Sequence, residues 1–218
     1  MMSTTLQLRG LERFMDVCQR NVLPWKQEPA VLPAPAAGSL VAGLPLDPLL
    51  AAVYTRVDFI GIREGLELFR TQPTRWLELI RDNEDWRRER PAPFDSLLVF
   101  GKESALATYY ATVPSLADAA GRQPVVEVDI HEEPYAIPLA SDVDHFFDTY
   151  SRYWEALIAQ PDYAEEGPAV LTFPFGVPEL FARDEALVRM LGEGRFDFLE
   201  VQKDPSIREW IEKVRALG

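Results

Sequence analysis

The run EVDIHEE gathers more groups capable of acid–base or metal chemistry than any other part of the chain. In a strand, side chains alternate between two faces, so Glu127, Asp129, His131 and Glu133 are expected on one face, with Glu132 beside them. Such a cluster could bind a hard cation or supply a general base. Its other interpretations are a solvated face, a face partly covered by a helix, or a protein-binding patch. We favour the protein-binding patch.

Other catalytic signatures are missing from the sequence. It contains no phosphate-binding GxxxxGK[ST] or GxGxxG loop, no GxSxG turn and no HExxH pair. Cys18 has no second cysteine to form a metal or redox pair, and its place on the inner side of a predicted helix indicates a packed thiol. His145, with Asp142 and Asp148 at helical spacing, is expected to be a hydrogen-bonded surface histidine. We therefore predict no catalytic residue, metal or cofactor.

Charge and composition narrow the class of partner. Of the 218 residues, 47% are hydrophobic, as in ordinary globular proteins, and the net charge is −13. Residues 96 to 163 hold 11 acidic and only three basic side chains. Nucleic acids and anionic membranes bind basic surfaces, so both are disfavoured, and a basic protein is the expected partner. One cysteine and no secretory signal pattern favour the cytoplasm.

The EVDIHEE run lies within a sequence that predicts both helices and strands. We predict an α+β domain over residues 1–162 and a helical C-terminal extension, residues 163–218, packed on the same domain. The uncharged segment from 29 to 46 contains too many prolines and glycines for a spanning helix, so 23–46 is predicted as a loop. We predict helices over 5–22, from Asp47-Pro48, over 74–90 with Trp76 and Trp86 pointing inward, over 138–160 with a Ser141/Asp144 cap, from Pro178 to Gly192 and from Asp204-Pro205. The predicted strands cover 59–62, 66–69, 96–101, 106–113 and 124–133.

The order of several short strings resembles the SUKH superfamily, the Smi/Knr-like proteins. This family includes bacterial immunity proteins and a yeast regulator of cell-wall assembly. The strings that carry the resemblance are Leu44-Pro45, Phe100-Gly101, Tyr109-Tyr110, Pro124-Val125 through Asp129 and His131, Leu139-Ala140-Ser141, and Phe146-Phe147. The resemblance covers roughly residues 40–160 and implies a curved, mostly antiparallel sheet flanked by helices. The tail from Asp162 lies outside it.

The resemblance also implies a function based on binding. In the immunity members the partner is a toxin, often a nuclease or deaminase, and an acidic surface blocks its basic groove. The family shares no catalytic set, so no catalytic residue is carried over to this chain. We therefore predict a bacterial cytoplasmic immunity protein that binds a basic toxin. The alternatives are a metal-dependent or hydrolytic enzyme built on Glu127, Asp129, His131 and Glu133, and a regulatory scaffold that uses the 23–46 segment or the C-terminal helices.

Overall fold

The chain folds around a sheet of antiparallel strands with helices on both faces. This computed structural model describes residues 6–73, 76–104, 106–131, 133–199 and 204–218. Its strands are β1 (Trp25–Pro29), β2 (Leu40–Val41), β3 (Leu44–Pro45), β4 (Val57–Ile62), β5 (Leu66–Leu68), β6 (Leu98–Glu103), β7 (Thr108–Thr112), β8 (Val125–Asp129) and β9 (Tyr135–Ala140). Its α-helices are α1 (Arg9–Arg20), α2 (Pro48–Tyr54), α3 (Leu79–Glu89), α4 (Val143–Ile158), α5 (Tyr163–Glu166), α6 (Pro178–Phe181), α7 (Glu185–Gly192) and α8 (Pro205–Leu217).

The main sheet has the order β1-β4-β5-β6-β7-β8-β9, and every neighbouring pair is antiparallel. Strands β2 and β3 form a separate small hairpin. Because β1 and β9 are both edge strands, the sheet is open rather than closed into a barrel. The predicted fold class, α+β with a mostly antiparallel sheet flanked by helices and a helical C-terminal extension, is confirmed.

Helix α4 covers one face of the sheet with its aromatic side. The ring of Phe146 lies 5.7 Å from the ring of Phe100 and 5.1 Å from that of Tyr110, centroid to centroid. Helix α1 packs against α4, and its Gly10 N–H donates to Asp144 Oδ1 at 2.9 Å. A Cβ at Gly10 would stand 1.9 Å from the Asp144 carbonyl oxygen, so only glycine allows this approach of the two helices.

Helix α3 lies on the opposite face. Trp86, predicted to point inward, is buried, and its ring lies 5.1 Å from Tyr109 of β7. The buried Asn83 donates to the Val99 carbonyl at 2.7 Å and accepts from the Val99 N–H at 2.8 Å. The Asn83 amide thereby pairs both the N–H and the carbonyl of Val99. Water cannot reach these buried backbone groups, so they need a partner from the protein.

The segment 23–46, predicted as a loop, is partly β-structure, so that prediction was wrong. Residues 25–29 form β1 at the sheet edge, paired with β4, and residues 40–45 contain the β2–β3 hairpin. An edge strand leaves one row of backbone groups unpaired, so it tolerates the missing N–H of Pro29. The proline content that suggested a loop is therefore compatible with an edge strand.

The predicted helix over 138–160 also began too early. Residues 138–140 belong to β9, and α4 starts at Val143 with Asp142 rather than Ser141 as its cap. Asp142 Oδ1 accepts from the His145 N–H at 2.9 Å and lies 3.0 Å from His145 Nδ1. His145 is thus hydrogen-bonded and about half exposed, as predicted.

Two further helix predictions differ in extent from the structure. Helix α3 starts at Leu79 rather than at residue 74, and Trp76, predicted to point inward, is 77% exposed. The single helix predicted from Pro178 to Gly192 is divided into α6 and α7, because Asp184 caps a new start by accepting from the Leu187 N–H at 3.0 Å.

The C-terminal extension packs on α4 and β9. The ring of Phe173 lies 5.2 Å from that of Tyr150, and the Tyr153 hydroxyl donates to the Leu171 carbonyl at 2.9 Å. Asp184 accepts from the Ser141 N–H at 2.7 Å, at the end of β9. Within the described ranges, no helix has the length and apolar character needed to cross a membrane.

Candidate functional site

Carboxylates collect at one end of the sheet. The strand register places Leu66 opposite Glu103, Thr108 opposite Asp129, and Asp129 opposite Tyr135, so the end of β6, the end of β8 and the start of β9 lie side by side. The loops that connect β4 to β5 and β8 to β9 are at the same end. We call this region the acidic end, and its members are Glu64, Glu103, Glu127, Asp129 and Glu133.

The acidic end differs from other parts of the acid-rich sequence in its ion pairs. In the acid-rich part of the sequence, Asp118 pairs with Arg122, Asp148 with Arg152, and Glu155 with Arg13 and Arg20. Among the residues that the structure describes, no lysine or arginine forms an ion pair with four members of the acidic end. These four are Glu103, Glu127, Asp129 and Glu133. Carboxyl groups without a basic partner are therefore concentrated here.

The predicted site residues do not all share one surface. Asp129, His131 and Glu133 line an open groove of about 650 Å³, together with Asp204 at the start of α8. The other side of this groove is formed by the segment that follows α3, from Pro91 to Phe94. The His131 N–H donates to Asp129 Oδ1 at 2.7 Å, which fixes the turn after β8. Glu132 lies outside the described residues. We call this surface the acidic groove.

Glu127 lies in a different place from the rest of the predicted row. It is only 9% exposed, because α4 covers the face of β8 from which it projects. It lines a cavity of about 290 Å³ between the sheet, α4 and the segment 168–173. The sequence placed Glu127, Asp129, His131 and Glu133 on one face and left open that a helix partly covers it, and at Glu127 that face is covered. We call this second site the acidic cavity.

Tyrosines and a second glutamate complete the acidic cavity. Tyr110, directly opposite Glu127 in the β7–β8 pair, donates its hydroxyl to Glu103 Oε2 at 2.8 Å. The Tyr150 hydroxyl accepts from the Leu66 N–H at 2.9 Å, which ties α4 to the start of β5. The cavity is lined by Glu64, Glu103, Leu106, Thr108, Tyr110, Glu127, Tyr150, Tyr153, Pro168, Ala169, Thr172 and Phe173. Its last four residues come from the C-terminal extension.

The two glutamates that line the acidic cavity have altered acidities. Burial raises the pKa of Glu103 to about 7, against the opposing effect of the Tyr110 hydrogen bond, and the nearby Glu67 raises it further. Burial also raises the pKa of Glu127 well above its ordinary value, and the charges of Glu103 and Asp129 add to this effect. Both groups therefore favour the protonated form more than an exposed glutamate does.

Glu103 was not predicted from the sequence. Strict alternation along β6 would place Phe100 and Lys102 on the same face, with Glu103 on the other. The register shift between Val99 and Gly101 inserts one extra residue, which brings Glu103 to the face of Phe100. No feature of the sequence alone indicates this bulge, so the pairing of Glu103 with Glu127 becomes visible only with the strand register.

Potential metal ligands and nucleophiles are sparse. Over the described ranges, no three or more His, Cys, Asp or Glu side chains are grouped so that they could hold a metal ion. The metal-dependent alternative therefore gains no support from these residues. Cys18 is fully buried, and burial raises its pKa to about 12, so its thiol is not an activated nucleophile.

Comparisons with protein-family models, with curated proteins and with solved structures each found no match. The fold and the acidic end therefore stand as observations on this chain, and the SUKH resemblance stays a prediction.

Proposed function

We propose that this chain is a non-catalytic protein-binding module whose acidic groove recognises a basic surface on a protein partner. The observation that supports this function is the difference between the acidic end and the rest of the acid-rich segment. Asp118, Asp148 and Glu155 of that segment have arginine partners, whereas the partly exposed Asp129 and the exposed Glu133 have no lysine or arginine partner among the described residues. Unpaired charge of one sign steers an oppositely charged partner and raises its association rate.

The partner in this proposal is a toxin with a basic catalytic groove, and the chain is a bacterial cytoplasmic immunity protein. This finer assignment rests on the SUKH resemblance together with the charge of the groove. A groove of about 650 Å³ that contains three carboxylates and no described lysine or arginine can cover basic residues that a nuclease or deaminase uses for its substrate. Nucleic acid and anionic membrane are excluded as partners in this proposal, because both require a basic surface.

A growth assay tests the proposal with the protein encoded by the gene next to this one. The C-terminal domain of that protein is expressed in a bacterial host alone and together with this chain. We expect the domain to be basic and to stop growth, and we expect this chain to restore growth. The double variant Asp129→Lys/Glu133→Lys is expected to lose protection, while its folding is verified by circular dichroism and thermal melting.

A matched control separates the groove from total charge. Glu84→Lys/Glu179→Lys changes the net charge by the same amount at two exposed residues that form no described ion pair. We expect this variant to protect as well as the wild type. A neighbouring protein that is harmless would contradict the immunity assignment. Equal protection by both double variants would contradict the role of the acidic groove.

A further inference from the structure

We propose that the acidic cavity binds the guanidinium group of an arginine side chain, held between Glu103 and Glu127 and against the surrounding tyrosine rings. Taking that arginine from a protein partner rests on the proposed function. The charge, the walls and the size of the cavity support this binding chemistry independently of that function.

The two carboxyl groups of the cavity have no cationic partner among the described residues. Glu127 is more than nine-tenths buried, lines the cavity, and has neither a hydrogen bond nor an ion pair among the described side chains. Glu103 has a single donor, the Tyr110 hydroxyl at 2.8 Å. Buried carboxylates in folded proteins are normally paired, because an unpaired buried charge is costly. A cation that enters the cavity would supply the missing partner.

The walls of the cavity favour a flat cation. Tyr110, Tyr150, Tyr153 and Phe173 surround the space that the two carboxylates face. A guanidinium group stacks on aromatic rings and donates along its edges to carboxylates, whereas an ammonium group is more strongly hydrated and has no flat face. The combination of aromatic rings and two carboxyl groups therefore fits arginine better than lysine.

The size of the cavity limits the ligand to a small group. Its volume of about 290 Å³ lies just below the range of roughly 300–1,000 Å³ that is usual for pockets of drug-sized ligands. A nucleotide or an oligosaccharide would exceed it, while one side chain would fit. The wall formed by residues 168–173 belongs to the C-terminal extension, which gives this extension a role in completing the site.

Binding should be linked to release of a proton. The titratable groups near the two glutamates come from every neighbouring element, and the segment 168–173 adds none. They are Glu64 from the β4–β5 turn, Glu67 from β5, Tyr110 from β7, Asp129 from β8, Tyr135 from β9, and Tyr150 and Tyr153 from α4. All of these groups are acids, so none supplies a positive charge. The cation binds the ionised carboxylates, and affinity should therefore rise with pH.

Titration with acetyl-arginine-amide, followed by ligand-observed NMR, tests this inference on the full chain. We expect saturable binding that is about tenfold tighter at pH 8 than at pH 6, since a carboxyl with a pKa near 7 changes from about one-tenth to about nine-tenths ionised over that interval. Acetyl-citrulline-amide has the same shape without the charge, and we expect it not to bind. Acetyl-lysine-amide is expected to bind at least several-fold more weakly.

Two variants locate the binding. Glu127→Gln keeps the size of the side chain and removes its charge, so it should weaken arginine binding at least tenfold while the protein melts cooperatively. Glu133→Gln, in the acidic groove, should leave that binding unchanged. Equal binding of the citrulline compound, equal binding of the lysine compound, or no binding of the arginine compound would each overturn the inference.

The outcomes also distinguish this inference from the proposed function. If the arginine compound does not bind but Asp129→Lys/Glu133→Lys still abolishes protection in the growth assay, the cavity inference fails and the proposed function stands. If the compound binds the cavity but the groove variant protects fully, the proposed role of the groove fails and the cavity site stands.

Discussion

Replacement of Glu103 by glutamine tests whether the acidic cavity holds carboxyl groups that resist ionisation. Glutamine has nearly the same size, and its carbonyl oxygen can still accept the hydrogen bond that Tyr110 donates at 2.8 Å. It cannot ionise. The substitution therefore removes the titration of this group and leaves its packing and its main hydrogen bond in place.

The magnitude follows from the raised pKa of Glu103. A carboxyl group whose pKa is about 7 in the folded state and 4.5 in the unfolded state binds its proton more tightly in the folded state. Its contribution to stability is therefore lost as the pH rises from 4.5 through 7. At about 1.4 kcal/mol for each pH unit between these values, ionised Glu103 costs the folded state about 3 kcal/mol at pH 8.

Urea denaturation at pH 4 and pH 8 measures this cost. We expect Glu103→Gln to be more stable than the wild type by about 2–3 kcal/mol at pH 8 and equal to it within about 0.5 kcal/mol at pH 4. Glu133→Gln, at an exposed position of the same end of the sheet, should differ from the wild type by less than about 0.5 kcal/mol at both pH values. A Glu103→Gln variant that is no more stable than the wild type at pH 8 would show that Glu103 ionises in the folded protein without this cost.

Three other predictions concern the frame that holds the site, and urea denaturation tests each of them. Gly10→Ala should lower the free energy of unfolding by about 1–3 kcal/mol, because the new Cβ would stand 1.9 Å from a backbone carbonyl oxygen of α4. Gly192→Ala has open space in a helix and should raise that free energy by about 0.5–1 kcal/mol. Equal effects of the two substitutions would contradict this packing. Asn83→Leu should cost about 2–4 kcal/mol, because both backbone groups of Val99 lose their partner, and a neutral change would show that water reaches them. A hydrogen bond to the cap aspartate of α4 raises the pKa of His145 to about 9, so this histidine stabilises the fold below about pH 6.5 and stops doing so as the pH rises through 9. His145→Gln should therefore cost about 1 kcal/mol at pH 6, a value reduced for a half-exposed ring, and nothing at pH 10, and a constant cost would contradict the assignment.

The starts of several helices could be predicted, because the residues that determine them are close together in the sequence. Asp47 accepts from the Leu49 and Leu50 N–H groups at 2.7 and 2.8 Å, so the predicted cap-plus-proline start of α2 is confirmed. The same start is confirmed at Asp204, which accepts from the Ser206 N–H at 2.7 Å. Caps and hydrophobic periods depend on residues a few positions apart, and a sequence shows these directly.

The features that were missed depend on distant parts of the chain. Alternation along β8 indicates which residues share a face with Glu127, but only the position of α4 decides that this face is covered. The bulge in β6 that brings Glu103 beside it is a property of the pairing with β7. β1 was missed for a similar reason, since Pro29 is acceptable only in a strand at the edge of the sheet.

The role of the acidic groove is measured by the rate at which this chain associates with the toxin domain that we propose as its partner, followed by stopped-flow mixing at low and high salt. We predict that Asp129→Lys/Glu133→Lys slows association at least about tenfold at low salt and removes most of its salt dependence, while Glu84→Lys/Glu179→Lys leaves both close to wild type. Glu127 is kept unchanged, because a lysine in its buried position would damage the fold. If the two double variants associate at the same rate as the wild type and with the same salt dependence, the acidic groove is not the surface that meets the partner.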